Sequence, residues 1–194
     1  MKAILISIQP KYVADILNGI KTLEIRKTMP KCDLPIDVYI YCTKGKEPCW
    51  SGVPRSSKYK PTILNGKIVA KFTLNKVERI FWKQDLSNPY VSDEYNLETD
   101  TLNEWELRNK SCLESEELED YLGFDDSEFK ALGYAWHIDN LEIFNEPKEL
   151  SQFLIPSHKV KGTDRDGSEK TFTILKPLVR APQSWCFVEI WVEK

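Results

Sequence analysis

The stretch Ser7-Ile8-Gln9-Pro10, followed after a short apolar stripe by Gly19-Ile20-Lys21-Thr22-Leu23-Glu24-Ile25-Arg26-Lys27, decides how this sequence is read. Taken as a strand, Leu23 and Ile25 face one way while Thr22, Glu24 and Arg26 face the other, because strand side chains alternate with period two. One face packs and the other carries ionisable groups. Pro10 suits the first turn of a helix, where its missing N–H costs nothing. Tyr12, Val13, Ile16 and Leu17 supply that helix with an apolar face, and Asn18-Gly19 stops it. The predicted order is strand, short helix, glycine turn, charged strand.

Outward from this stretch, strand patterns dominate both ends of the chain: 3–7, 22–26, 38–43, 68–74, 134–143, 171–174 and 185–192. Asn65-Gly66 between Thr62-Ile63-Leu64 and Lys67-Ile68-Val69 predicts a hairpin with a type I′ turn. The last strand is apolar on both faces, with Cys186, Val188, Ile190 and Val192 on one and Trp185, Phe187 and Trp191 on the other. That pattern favours a partly or fully closed barrel, in which exposed strand edges disappear. From Thr101 to Leu122 the spacing turns helical, with Leu102, Trp105 and Leu107 in one segment and Leu118, Tyr121 and Leu122 in the next, read as packing positions. Ser115 is the expected cap of the second helix and Gly123 its stop. The fold class is α+β, mainly β: one domain over 1–194, with a helical insertion at about 84–130.

Charge is unevenly spread. Residues 1–83 hold 16 Lys or Arg against 6 Asp or Glu, residues 84–150 hold 4 against 19, and residues 151–194 hold 7 against 5, so a net charge of −3 conceals a basic first part and an acidic middle. The basic part could meet a polyanion; the two parts could equally neutralise each other. The acidic insertion is a candidate surface for a protein partner. The apolar runs are far short of a membrane span of roughly 18 residues, and no signal-peptide pattern opens the chain, so a soluble, cytoplasmic protein is expected. The five cysteines have neither disulfide-framework nor zinc-ribbon spacing. No phosphate-binding glycine loop, Walker lysine or dinucleotide fingerprint appears, so neither a metal nor a cofactor is expected.

The Gly-x-Lys-x-x-Glu-x-Arg spacing at Gly19, Lys21, Glu24 and Arg26 resembles the ASCH domain family, a branch of the PUA-like small β-barrels. The resemblance extends to Val38-Tyr39-Ile40-Tyr41-Cys42-Thr43, to Gly66–Phe72, to Gly133-Tyr134-Ala135-Trp136-His137-Ile138 and to Ala181-Pro182-Gln183-Ser184-Trp185-Cys186-Phe187-Val188-Glu189, most of the chain. It implies a PUA-like barrel with a ligand cleft beside the first helix, and RNA or a modified nucleoside as ligand.

The residues themselves suit such a guest. Arg26 offers a planar fork to phosphate or a base edge, Lys21 a mobile ammonium, and Glu24 an acceptor for an exocyclic amine or ribose hydroxyl. Lys21, Glu24 and Arg26 form the expected polar floor, with Ser7, Gln9 and Ser184 beside it. Tyr41, Trp50, Trp136 and Trp185 are candidate stacking faces.

Alternatively, the same three charges form a simple ion-pair network. The resemblance also implies two catalytic precedents, a nucleoside amidohydrolase and a ribonuclease, both metal-independent. In the first, a lysine like Lys21 activates a threonine where this chain has Glu24; the substitution removes the acyl acceptor, leaving Lys21 and Glu24 to activate water if the chain is an enzyme. His137 is read as structural.

Overall fold

The computed structural model describes residues 1–50, 62–84, 95–123, 132–164 and 166–190. Trp191, Val192 and the parts of the basic loop and insertion at 51–61, 85–94 and 124–131 lie outside the described residues. Eleven strands and three α-helices are described, a mainly β, α+β fold. The contacts divide the chain into two compact units.

The first unit gathers Met1–Pro10, Asp37–Lys71 and Glu142–Lys194. Its sheet uses β1 (Lys2–Ile8), β3 (Ile36–Cys42), β4 (Ile68–Leu74), β8 (Asp139–Lys148), β9 (Phe153–Thr163), β10 (Glu169–Pro177) and β11 (Trp185–Ile190), in the order β10-β9-β11-β1-β3-β4-β8. β1 lies between β11, antiparallel, and β3, parallel, and Ala3 to Ile8 are all buried. A strand buried on both faces must be a continuous apolar run, as Ala3-Ile4-Leu5-Ile6 is. Ala3, Leu5, Tyr39, Ile68, Phe153 and Val188 form its core, with the Tyr39 and Phe153 rings edge to face at 5.0 Å.

The second unit gathers Lys11–Ile36 and Phe72–Leu141. Its sheet runs β2 (Leu23–Arg26), β7 (Gly133–His137), β5 (Val77–Gln84), β6 (Tyr95–Thr99) in that spatial order. Helix α1 (Pro10–Leu17) precedes β2, and α2 (Glu104–Ser111) and α3 (Ser115–Leu122) follow β6. Leu102, Leu107, Leu118 and Leu122 pack with Leu23, Ile25, Ile80 and Ala135 into one core, so the leucines of the helical segment are packing positions, as their spacing implied. Trp105 is not: it is 71 % exposed.

Four local expectations need correction. Among the described residues no sheet closes into a barrel: β10 and β8 are the two edges of the seven-stranded sheet and do not pair. The aromatic face of β11 misled here, because Trp185 and Phe187 cover each other at 5.6 Å and Lys2 lies 4.0 Å over the Phe187 ring, which shelters that face without a barrel interior. Second, Asn65-Gly66 is a turn but not type I′: only Gly66 takes positive φ, and Ile63 makes a lone bridge to Trp50 rather than a strand pairing with β4. Third, Glu114 rather than Ser115 is the N-cap of α3; its N–H donates to Glu117 Oε2 at 3.1 Å. Fourth, the single strand expected at 134–143 is two, β7 and β8, broken at Ile138, with Asn140 at φ 49°.

Candidate ligand-binding site

The glycine turn works as the sequence implied. Gly19 sits at φ +72°, and the N–H groups of Ile20 and Lys21 both donate to the Asp15 carbonyl at 2.9 and 3.1 Å, which swings the chain off α1 into β2. Pairing with β7 then sets Glu24 opposite Trp136 and Arg26 opposite Tyr134.

Lys21, Glu24 and Arg26 converge. Arg26 Nη2 lies 2.9 Å from Glu24 Oε1, and Lys21 Nζ lies 3.4 Å from Glu24 Oε2. All three residues are buried, at 2, 7 and 8 % exposure. Lys21 Nζ also donates to the Ser111 carbonyl at 2.5 Å, at the C-terminal end of α2, where the helix dipole favours a cation, and lies 5.2 Å over the Tyr12 ring. Desolvating three charges is costly, so this cluster is not a stability device by default. Glu24 Oε2, although buried, has no hydrogen-bond partner among the described residues. An orphaned buried acceptor is rare and asks for an explanation.

A second charged cluster in the same unit was not read from the sequence. Glu78, on β5, is 1 % exposed; its Oε2 accepts from Thr99 Oγ1 at 2.7 Å, Thr101 Oγ1 at 2.6 Å and the Thr101 N–H at 3.0 Å. Its Oε1 lies 2.8 Å from Lys76 Nζ and 2.6 Å from His137 Nε2. Burial alone would raise this carboxyl, but the hydrogen bonds from Lys76, Thr101, Thr99 and His137 outweigh it and hold it at about 2. His137 therefore has a structural partner. Only the alternation around Val77-Glu78 signalled this residue, and a lone glutamate in a strand names no partners.

The remaining candidates fall in the first unit, apart from Trp136. A cavity of about 810 Å³ there is lined by Ser7 and Tyr41, with Lys44, Arg180, Pro182 and Gln183 among its walls. Ser7 Oγ donates to the Pro182 carbonyl at 2.7 Å, and the Ser7 N–H to the Ser184 carbonyl at 2.8 Å. Lys44 and Arg180 are exposed and have no ion-pair partner among the described residues. Gln9 is exposed, and Ser184 and Trp185 are half-buried. Trp136 cannot be a stacking platform: it is wholly buried in β7, with no ring face open to a base.

No group of three or more potential metal-ligating side chains occurs among the described residues. Nor is any helix among them long and apolar enough to cross a membrane.

No family model and no curated protein matches this sequence. Among solved structures, the chain is similar to the crystal structure of ASCH from Zymomonas mobilis, with a TM-score of 0.48 at 16 % identity, covering 99 % of this chain and 88 % of that one. Two point variants of that protein match at TM-scores of 0.47 and 0.44, with 15 and 16 % identity, covering 99 and 78 % of this chain and 89 and 78 % of theirs.

Proposed function

We propose that this chain is a PUA-like domain of the ASCH type, extending over 1–194 with the segment at about 84–130 inserted, which carries strand β6 as well as the expected helices, α2 and α3, and that it binds RNA or a modified nucleoside. The observation that carries this reading is the buried Glu24 carboxylate, whose Oε1 meets the Arg26 guanidinium at 2.9 Å while its Oε2 has no hydrogen bond among the described residues and only the Lys21 ammonium at 3.4 Å. An exocyclic amine or a ribose hydroxyl is the donor it lacks, and Lys21 and Arg26 complement phosphate or a carbonyl edge. The cavity at Ser7 and Tyr41, with Lys44 and Arg180, which have no ion-pair partner among the described residues, falls within the size range of small-ligand sites and gives a second polar seat of the same chemistry.

Fluorescence anisotropy with labelled single-stranded RNA and DNA at low salt tests the reading, together with calorimetry on cytidine, adenosine and their N-acylated forms. Binding by the native chain, weakened at least tenfold in Lys21→Ala and Arg26→Ala, is expected. Absence of binding to every probe, or binding indifferent to both substitutions, removes the proposal.

A hydrolase at the same place is the second reading, favoured by the approach of Lys21 to Glu24 in a buried site. It requires turnover without added metal that disappears in Lys21→Ala and Glu24→Gln. Binding without turnover decides for the first reading.

A further inference from the structure

β9 and β10 pair with each other from Leu154↔Pro177 to Thr163↔Glu169, but β9 pairs with β11 only at Phe153 and Leu154. Past Ile155 the two strands are a ribbon with no other strand beside them among the described residues. Pro156 to Lys161 and all of β10 are exposed.

Register sorts the ribbon into two faces. Lys159 opposite Thr173 and Lys161 opposite Thr171 lie on one; Val160 opposite Phe172 and His158 opposite Ile174 lie on the other, with Lys170 opposite Gly162. The second face is apolar yet open, with Val160, Phe172 and Ile174 at 36, 42 and 40 % exposure. The Phe172 ring leans on Gly162, where an added Cβ would come within 3.1 Å of it, so the ring is backed by the strand. A two-stranded ribbon in water is marginal on its own, and an exposed aromatic and aliphatic stripe on it asks for a cover.

Charge says which cover. Between Phe153 and Thr163 and between Lys170 and Pro177 there are four lysines, one histidine and no Asp or Glu. Lys159, Lys161 and Lys176 have no ion-pair partner among the described residues, whereas Lys170 pairs with Asp164. The acids of this segment, Asp164, Asp166 and Glu169, all sit at the turn end. A cationic body with an exposed ring fits a single-stranded polyanion that has flat rings of its own. The acidic turn disfavours insertion of the tip into an anionic membrane. β10 also leads directly into Leu178, Arg180 and Gln183, which wall the cavity described above.

We propose that the β9–β10 ribbon is a second contact surface for single-stranded RNA. A base stacks on Phe172, Lys159 and Lys161 supply the cationic field from the reverse face, and the strand runs along β10 toward the cavity at Arg180. The identity of the polyanion rests on the RNA reading above; the surface itself does not.

The test uses the full chain with labelled four-nucleotide and sixteen-nucleotide single-stranded RNAs, read by anisotropy across a salt series. The native chain binds the longer RNA more tightly. Phe172→Ala weakens the long RNA by about tenfold and leaves the short one unchanged, while Phe172→Tyr retains binding. The double variant Lys159→Ala/Lys161→Ala lowers the salt slope for the long RNA by about 1.4. Unchanged long-RNA affinity in both variants, with the short RNA still bound, overturns the ribbon and spares the function proposal; failure of the native chain to bind either RNA overturns both. Two further outcomes also sink it: binding to phosphatidylserine vesicles that these variants abolish while RNA affinity stays, and a self-association, seen by sedimentation, that Phe172→Ala abolishes without touching RNA affinity.

Discussion

Glu24 and Glu78 sit on strands of the same unit, both are less than a tenth exposed, and both face a lysine, yet they differ in what remains for a guest. Glu78 receives donors at both oxygens from four residues and has no capacity left. Glu24 has an arginine on one oxygen and, on the other, only an ammonium at 3.4 Å that is already donating to Ser111. A carboxylate closed by its own fold ties strands together; one left short of donors is suited to recognise something. Burial and charge alone do not distinguish the two.

That contrast breaks most directly with amide substitutions. Glu78→Gln is expected to lower stability by about 3 kcal/mol in urea unfolding, since charge-assisted bonds are lost and an amide N–H2 is turned on donors, while leaving RNA affinity alone. Glu24→Gln should cost at least tenfold in binding and also about 3 kcal/mol in stability, because it leaves Lys21 and Arg26 buried without their counter-charge. If Glu24→Gln leaves binding intact and Glu78→Gln abolishes it, the two roles are exchanged.

Gly133 offers the next test. A Cβ there would collide with Leu122 and come within 3.0 Å of the Arg26 carbonyl, so Gly133→Ala presses on the backbone that presents the guanidinium. A loss of about 2 kcal/mol is expected, with weaker binding, because overpacking shifts neighbours. Unchanged thermal unfolding would show that β2 does not depend on this close approach.

Acid sharpens the comparison further. Because Glu78 titrates at about 2 in the folded chain against an ordinary 4.5, its contribution is complete above 4.5 and disappears as pH falls from there toward 2, the unfolded chain protonating first. Stability of the native chain should decline over that window by at most about 1.4 kcal/mol per pH unit from this group, and the decline should be shallower in Glu78→Gln. The smallest effect is expected from Gly19→Ala: nothing lies within 4 Å of the added Cβ, so only the left-handed backbone resists, at about 1 kcal/mol. A larger loss would mean that the turn matters to the Lys21 cluster beyond its own geometry.

What the sequence made legible follows from how local the cause is. The order β1, α1, turn, β2 was readable because Pro10, Asn18-Gly19 and the two-residue alternation of Leu23 and Ile25 act within a few residues of themselves. The shared face of Glu24 and Arg26 followed for the same reason, whereas Lys21 lies before β2 begins at Leu23 and is not placed by that alternation. β9 was not foreseen, because Pro156 and Gly162 interrupt its alternation. Three of the four residues that donate to Glu78, Thr99, Thr101 and His137, lie 21 to 59 residues away in sequence, a pairing that no window along the chain reveals. Trp105 was read as core because its spacing matched Leu102 and Leu107; spacing cannot show that a neighbour is missing.

The turn at Asn65 has a chemical corollary. Its side-chain oxygen accepts from the Cys49 N–H at 2.7 Å, its amide donates to the carbonyls of Glu47 and Gly45, and the N–H of Gly66 is held by the Cys42 carbonyl at 2.7 Å. Asparagine before glycine is prone to deamidate through attack of that next backbone nitrogen on the side-chain amide. Here both reactants are tied to other partners, so the folded chain shelters a bond that the unfolded chain exposes, and conversion to aspartate would set a carboxylate against the two carbonyls its amide now serves. Prolonged storage in denaturant should therefore age this protein at Asn65, beside a wall of its own cavity, as well as at Asn18, which also precedes a glycine.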